Sequence, residues 1–291
     1  MDLSNIIDRI DAVSIPPQAA ITQLQHEEDD GSYRVWRIDT ENRSYILKEA
    51  KGQEGELYRS ILTTIPESVP TLYQIITTDN KTYLLMEYIE GEDLCKCDRK
   101  KLTLALDALI SMQRKTWGLQ QPTEQSEKSF LQRQTRGKYL NDHLLEKAYE
   151  NFLTVYQTVP QALCHDDLLP FNVIVTAQKA VLIDWEVGGI LPYPTSFARL
   201  IAHTQDDPSA LFCMTQEDKN FAIEYYYDNL LKEKGISYDE WRRTLECFLF
   251  YEYCEWVFVG NKYNATDGEY YQKYLPIAQK QAVRVLQTEM R

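Results

Sequence analysis

The sequence predicts an α+β protein with two lobes, a small β-rich lobe followed by a larger, mainly helical lobe. The first ninety residues contain short runs of β-branched and aromatic residues separated by turn formers. After Gly91 the apolar residues recur at helical spacing. With 291 residues, 44% hydrophobic and 26% charged, the chain is long enough for one large domain or two modest ones.

The first lobe is predicted at residues 1–89 as an antiparallel sheet with one helix. Residues 39–42 have the sequence Asp-Thr-Glu-Asn, which is typical of a hairpin connection. The helix is predicted at residues 53–62. The predicted strands cover residues 19–24, 33–38, 43–48, 69–77 and 82–89.

The second lobe is predicted at residues 90–291. Helical spacing of apolar residues is clearest at 100–117, and residues 129–157 form either one long helix or two shorter ones. A compact β-rich segment is predicted at residues 162–186, and helices resume at residue 196. Breaks in these last helices are predicted at Pro208, Gly235 and Gly260.

Composition excludes several classes of function. Lys and Arg total 31 against 44 Asp and Glu, so the net charge is −13, which argues against non-specific binding of nucleic acid. The acidity either suits a cationic substrate or serves only solubility. The six cysteines form no zinc-finger pattern, and the four histidines are too scattered to predict a metal cluster.

The chain also lacks the patterns of membrane and secreted proteins. No apolar run approaches the ~18 residues of a membrane span. The first residues lack the basic start and apolar stretch of a signal peptide. We therefore expect a cytoplasmic protein without a membrane partner.

The most informative segments are residues 164–175 and 181–186. A predicted hairpin of residues 173–175 and 181–183 would bring Asp167, Asn172 and Asp184 to one end of its strands. Two carboxylates and an amide oxygen are ligands that suit Mg²⁺. Phosphoryl transfer needs such a metal and an acid that aligns the attacking hydroxyl.

The pattern His165-x-Asp167-x-x-Pro170-x-Asn172, followed by Ile-Asp-Trp-Glu at residues 183–186, resembles the aminoglycoside phosphotransferase and choline kinase family. These are small-molecule kinases with a protein-kinase-like two-lobed fold, and the resemblance covers most of the chain. It implies an ATP- and Mg²⁺-dependent enzyme that moves the γ-phosphate to a hydroxyl of a small molecule. Cationic amino alcohols and aminoglycosides are among the acceptors it suggests.

The resemblance assigns roles to the polar residues of these segments. Asp167 is expected to be the catalytic acid/base that orients the acceptor hydroxyl, and Asn172 and Asp184 are expected to hold Mg²⁺. His165 is expected to brace the loop. Glu186 either contacts the metal or supports the loop.

A lysine at the end of the strand 43–48 resembles the family lysine that grips the phosphates of ATP. The alternative is that Lys48 only keeps an edge strand soluble. Its expected partner is Glu54, which shares a helix face with three apolar residues, whereas Glu56 has polar neighbours on its own face.

The segment 86–89 resembles the hinge between the lobes. Adenine is expected to bond to backbone groups at Glu87 and Ile89, and Ser32 is expected in the hairpin that covers the phosphates. The chain departs from the family where an aspartate usually begins a helix, because Ser196 stands there. We expect this serine to cap the helix.

Specificity for the acceptor is expected in the helical lobe. Glu252 and Glu255 lie three residues apart in an aromatic helix, residues 248–258, where acids among aromatic rings can bind an ammonium group. The alternative is that these acids are solvated or pair with Arg242 or Arg243.

Two other functions remain open from the sequence: a catalytically silent nucleotide-binding module of the same fold, and a protein kinase. The intact polar residues argue against the first. The second is disfavoured because a glycine-rich triad and an Ala-Pro-Glu motif are missing.

Overall fold

The structure, a computed structural model, describes residues 3–25, 31–78, 81–120 and 123–288. It confirms the α+β class, with a β-rich part followed by a mainly helical part. Within these ranges, no helix is both long and apolar enough to cross a membrane. The division of the chain after residue 89 stays a prediction.

The β-rich part is built on a five-stranded antiparallel sheet. Its strands are β1 (Ala20–Gln25), β2 (Ser32–Asp39), β3 (Ser44–Glu49), β4 (Leu72–Thr78) and β5 (Lys81–Glu87), and they lie in the order β1-β2-β3-β5-β4. The two strands that flank β3 hold Lys48 in register, because it pairs with Val35 on one side and with Leu84 on the other.

The sheet alternates its side chains between two faces, as antiparallel strands do. On one face Trp36 and Ile38 are buried in a cluster with Ile6. Ile6 belongs to α1 (Leu3–Ile7), so the prediction of a single helix in this lobe was wrong. Five residues with one buried side chain are too few to give a helical period.

The second helix, α2 (Glu54–Ser60), follows β3 after a short connection. Its buried face includes Glu54, Leu57 and Tyr58, which is the face predicted from the spacing of its apolar residues. A carboxylate is thereby directed toward the interior of the protein.

The helical part packs around a second, larger core. Residues 129–157, predicted as one long helix or two shorter ones, belong to two helices. Asp142 caps the second helix by accepting hydrogen bonds from the backbone N–H groups of Leu144 and Leu145. The helices are α3 (Arg99–Thr116), α4 (Thr123–Gly137), α5 (His143–Thr158), α6 (Pro194–Ala202), α7 (Gln216–Tyr226), α8 (Tyr238–Lys262) and α9 (Glu269–Thr288).

One predicted helix break is wrong. Gly260 lies inside α8, which continues to Lys262. A Cβ at this position would lie 2.3 Å from Cδ2 of Tyr271. Gly260 therefore allows α9 to approach α8 closely and does not end the helix.

Short strands position the polar segments of the helical part. The predicted hairpin is present, with Val173 opposite Leu182 and Val175 opposite Ala180. The strands are β6 (Glu92–Asp93), β7 (Gln161–Cys164), β8 (Val173–Val175), β9 (Ala180–Leu182) and β10 (Gly189–Pro192). The loops that follow β7 and β9 lie next to each other, since His165 contacts the backbone carbonyl of Ile183.

Candidate active site

Lys48 lies at the meeting point of three elements. Its Nζ atom is 2.9 Å from Oε1 of Glu54 on α2 and 2.5 Å from Oδ1 of Asp184, which follows β9. Burial alone would lower the pKa of Lys48, but the two carboxylates outweigh burial and raise it. The lysine is therefore held as a cation between the sheet and the second lobe.

The Glu54 carboxyl is almost completely buried, and burial raises its pKa despite the lysine. Its Oε1 also accepts a hydrogen bond from the backbone N–H of Trp185 at 3.3 Å. Glu54 thus links Lys48 to the segment that carries Asp184.

The connection between β3 and α2 packs directly on the segment that follows β9 and carries Asp184. The backbone N–H of Gln53 donates to the carbonyl of Glu186 at 3.0 Å. Gly52 has a φ of +52°, and a Cβ there would lie 2.2 Å from the same carbonyl oxygen. Only glycine fits this close approach without strain.

His165 joins the two polar loops after β7 and β9. Its Nε2 lies 2.7 Å from the carbonyl oxygen of Ile183, and its Nδ1 accepts the backbone N–H of Asp167 at 3.3 Å. These contacts require a neutral ring with its proton on Nε2. Burial lowers the pKa of His165 and keeps the ring neutral.

Asn172 and Asp184 line one cavity of about 500 Å³ between the sheet and the helical part. The Nδ2 atom of Asn172 donates to the backbone carbonyl of Asp167 at 2.8 Å, which leaves its amide oxygen available. Asp184 adopts a φ of +65° and its side chain is 48% exposed. An amide oxygen and an accessible carboxylate are a donor set that fits Mg²⁺.

The same cavity continues to the end of β5. Glu87 and Ile89 both line it. The backbone N–H of Glu87 already donates to Thr71, whereas Ile89 makes no backbone hydrogen bond within the described residues. The cavity is thus apolar at one end and polar at the other, near Lys48.

Ser32, which is predicted to lie in the hairpin that covers the phosphates, does not line this cavity. It is exposed at the first position of β2, and the lining there comes from Tyr33 and Arg34. A single glycine and a serine were too weak a signal to fix which residues of this hairpin face inward.

A second cavity of about 790 Å³ lies beside the first, and Glu186 lines both. Asp167 lines this second cavity, which we call the acceptor cavity. Glu252 and Glu255 of α8 line it as well. The structure therefore brings the predicted acceptor residues and the predicted acid/base to one space.

Sequence reasoning missed Arg199 of α6. Its Nε and Nη2 atoms donate to Oδ1 of Asp167 at 3.0 and 2.8 Å, and its Nη1 donates to Glu252 at 2.9 Å and to Glu255. Burial opposes its charge, but the surrounding carboxylates raise the pKa of Arg199. No local pattern in the sequence indicates this contact.

This network changes the interpretation of Glu252 and Glu255. The alternative pairing with Arg242 or Arg243 is also not observed, because Arg242 contacts Glu246 and Arg199 contacts both acids. Glu252 is nearly fully buried, and although burial would raise its pKa, Arg199 outweighs burial and lowers it. Glu252 is therefore ionised, and both acids already have Arg199 as a partner.

His203 also approaches these acids, and its ligand atom and theirs lie within 4.8 Å of one another. The histidines were expected to be too scattered for such a cluster. Arg199 occupies the middle of the group, since its guanidinium bonds to both carboxylates and to His203. A cation is thus already present where a metal ion would bind.

Ser196 does not cap a helix, so that prediction was wrong. It is the third residue of α6, and its Oγ accepts the backbone N–H of His165 at 2.8 Å. The serine thereby connects α6 to the loop that carries Asp167.

Comparison with known families supports the resemblance. The model of the phosphotransferase enzyme family, APH, matches residues 24–221. The curated proteins give no significant match.

Solved structures with a similar fold include an aminoglycoside phosphotransferase from Alicyclobacillus acidocaldarius, with a TM-score of 0.60, 12% identity, and coverage of 100% of this chain and 97% of that one. Choline kinase LicA from Streptococcus pneumoniae gives 0.56 at 17% identity, covering 92% and 95%. A thermostable aminoglycoside phosphotransferase APH(4)-Ia, in a complex with ADP and hygromycin B, gives 0.55 at 14% identity, covering 92% and 94%. These likenesses confirm the predicted two-lobed, protein-kinase-like fold.

Proposed function

The chain belongs to the phosphotransferase enzyme family, and from this premise we propose that it transfers the γ-phosphate of ATP, with Mg²⁺, to a hydroxyl group of a small molecule. One observation carries the proposal. Lys48 and Asp184 line one cavity, Asp167 lines the next, and the two cavities share Glu186. A phosphate held in the first can thus reach a hydroxyl held in the second.

The first cavity suits a nucleotide. Its apolar end, with Ile46, Met86 and Ile174 in the lining, accepts a flat base, and Ile89 offers backbone groups for hydrogen bonds. Lys48 at the polar end holds the phosphates by charge. A structurally similar phosphotransferase that binds ADP supports this assignment.

Asn172 and Asp184 would hold the magnesium ion, with waters and phosphate oxygens completing its shell. When bound, the ion would neutralise charge on the transferring phosphoryl group. Lys48 keeps Asp184 oriented toward the nucleotide, and the hydrogen bond from Asn172 to the Asp167 carbonyl ties the metal residues to the acid/base loop.

Asp167 acts as the acid/base. Arg199 holds its Oδ1, and its Oδ2 has no partner among the described residues. Oδ2 therefore accepts the proton of the acceptor hydroxyl as that oxygen bonds to the γ-phosphorus and the bond from phosphorus to ADP breaks. His165 fixes the loop through its two contacts.

A transfer assay tests this function. The protein is incubated with ATP, Mg²⁺ and hydroxyl compounds that include aminoglycosides, amino alcohols, sugars and hydroxy acids. We expect ADP and one phosphate ester in equal amounts. ATP binding without transfer to any acceptor would instead support the silent nucleotide-binding module.

A further inference from the structure

Helix α4 directs a row of polar side chains into the acceptor cavity. Lys128, Gln132 and Arg136 are spaced four residues apart and therefore share one face of the helix. All three line the cavity. Among the described residues, none of the three has a carboxylate within ion-pair distance.

Most of the acids that line this cavity are in contact with an arginine. Arg133 binds both oxygens of Asp166, at 2.7 and 2.8 Å. Asp167, Glu252 and Glu255 are all hydrogen-bonded to Arg199, which holds these three acids together on the wall formed by α6 and α8. Glu56 is largely exposed at the rim and lies 3.7 Å from Arg59.

The remaining acid in the lining, Glu186, belongs to the end of the cavity that faces the nucleotide. On the wall formed by α4, Lys128 and Arg136 are therefore the charged side chains that lack an ion-pair partner among the described residues. Burial would lower the pKa of Arg136, but Tyr251, Glu255 and Asp166 nearby raise it. An ammonium group on this wall would meet two cations.

Arg136 is partly buried and has donors to spare. Its Nη1 donates to the hydroxyl of Tyr251 at 2.7 Å, and its Cζ lies 5.6 Å from the ring centre of Phe258. Among the described residues this is the only hydrogen bond of the Arg136 side chain, although a guanidinium carries five N–H donors. Held between two rings, the guanidinium can bind both oxygens of an acid group at once.

We propose that the acceptor carries an acidic group, a carboxylate or a phosphate monoester, which Arg136 binds with help from Lys128 while its hydroxyl meets Asp167. This inference rests on the proposed function and deepens it. It replaces the cationic acceptor suggested by Glu252 and Glu255, because both acids are already hydrogen-bonded to Arg199.

Matched acceptors test the proposal on the full-length protein with ATP and Mg²⁺. One set contains a hydroxy acid, its primary amide and the corresponding amino alcohol, and a second set contains a sugar and its phosphate monoester. Transfer rates and calorimetric binding are both measured. We expect one acid to be preferred over its uncharged partner by about tenfold or more, and the set that shows the preference identifies a carboxylate or a phosphate.

Variants locate the site. Arg136→Gln should reduce the preference for the acid over its uncharged partner by roughly 10- to 100-fold, and Arg136→Lys should reduce it less because the charge remains. Lys138→Gln is the matched control, since Lys138 is exposed just after α4 and outside the cavity lining. It should keep the parent's preference.

The proposal is overturned if the parent neither binds nor phosphorylates any acid better than its uncharged partner, or if Arg136→Gln keeps the preference while remaining folded by melting temperature. Transfer to a neutral or cationic acceptor would then leave the proposed function intact. Absence of Mg²⁺-dependent ATP binding and of all transfer would contradict the proposed function itself.

Discussion

Arg199 donates two hydrogen bonds to one oxygen of Asp167, from Nε at 3.0 Å and from Nη2 at 2.8 Å. The remaining guanidinium nitrogen bonds to Glu252 and Glu255, so the arginine is fixed from both sides. The orientation of Asp167 is therefore set by α6 and α8 as well as by its own loop, and one carboxylate oxygen is left for a substrate.

Asp167→Asn should abolish phosphoryl transfer and leave ATP binding nearly unchanged. Asparagine keeps the shape but cannot accept the hydroxyl proton, and such a loss is worth about 10²- to 10⁴-fold in rate. Turnover is measured with the best acceptor, and binding of ATP by calorimetry. Asp267→Asn, at an exposed position, is the control. Equal turnover in Asp167→Asn and the parent would refute the acid/base assignment.

Arg199→Gln should lower both stability and turnover. It leaves the buried carboxylate of Glu252 without its strongest partner, and breaking a buried pair in this way costs about 3–5 kcal/mol. The free energy of unfolding is measured by denaturant titration. The double variant Arg199→Gln, Glu252→Gln should regain much of the stability but not the turnover, because Asp167 stays unsupported. Full kcat in the stable double variant would show that Arg199 is only structural.

Local patterns predicted the positions of several side chains around the two cavities. Glu54 was identified because its neighbours at helical spacing are apolar, and the structure buries that face with the glutamate on it. The hairpin of β8 and β9 followed from two short apolar runs around a turn, and the structure has it with the second strand one residue earlier than predicted. In each case the signal lies within about a dozen residues.

Contacts between distant segments could not be predicted in this way. Arg199 lies 32 residues after Asp167 and 53 before Glu252, and it meets them because α6 packs on α8. Ser196 was expected at a helix start, yet α6 begins earlier at Pro194 and the serine turns inward to His165. Tertiary packing decides where both side chains lie, and the spacing of apolar residues along the sequence does not indicate such packing.

Lys48→Met should raise the KM for ATP or lower kcat, because the phosphates lose their positive partner. It also leaves the Glu54 carboxyl unpaired in the interior, so Lys48→Met with Glu54→Gln separates lost folding from lost binding. Lys100→Met, an exposed lysine of α3, serves as control. An unaltered kcat/KM for ATP in the double variant would return Lys48 to a solubilising role.

Asp184→Asn should weaken nucleotide binding in the presence of Mg²⁺ more than in its absence. The substitution removes the charged oxygen ligand but keeps the size of the side chain. Calorimetric titrations with ATP are run in excess Mg²⁺ and in excess chelator. If the two titrations differ as much for the variant as for the parent, the metal role of Asp184 is wrong.

Stability should fall as the pH drops below about 6.5, the ordinary pKa of histidine, because the pKa of His165 is lowered by burial. At pH values between the pKa of His165 in the folded protein and 6.5, the imidazole is protonated in the unfolded chain but neutral in the folded protein. This linkage is worth up to about 1.4 kcal/mol per pH unit. Protonation of Nδ1 would also remove the acceptor for the Asp167 N–H, so turnover should decline in the same window.

The measurement compares the free energy of unfolding at several pH values for the parent, His165→Gln and His143→Gln. His143 is exposed at the start of α5, and its variant should follow the parent's pH dependence. His165→Gln should be less stable at neutral pH but should lose less stability between pH 7 and pH 5, since it has no ring to protonate. If the free energy of unfolding changes equally with pH in all three proteins, protonation of the buried ring does not limit stability in acid.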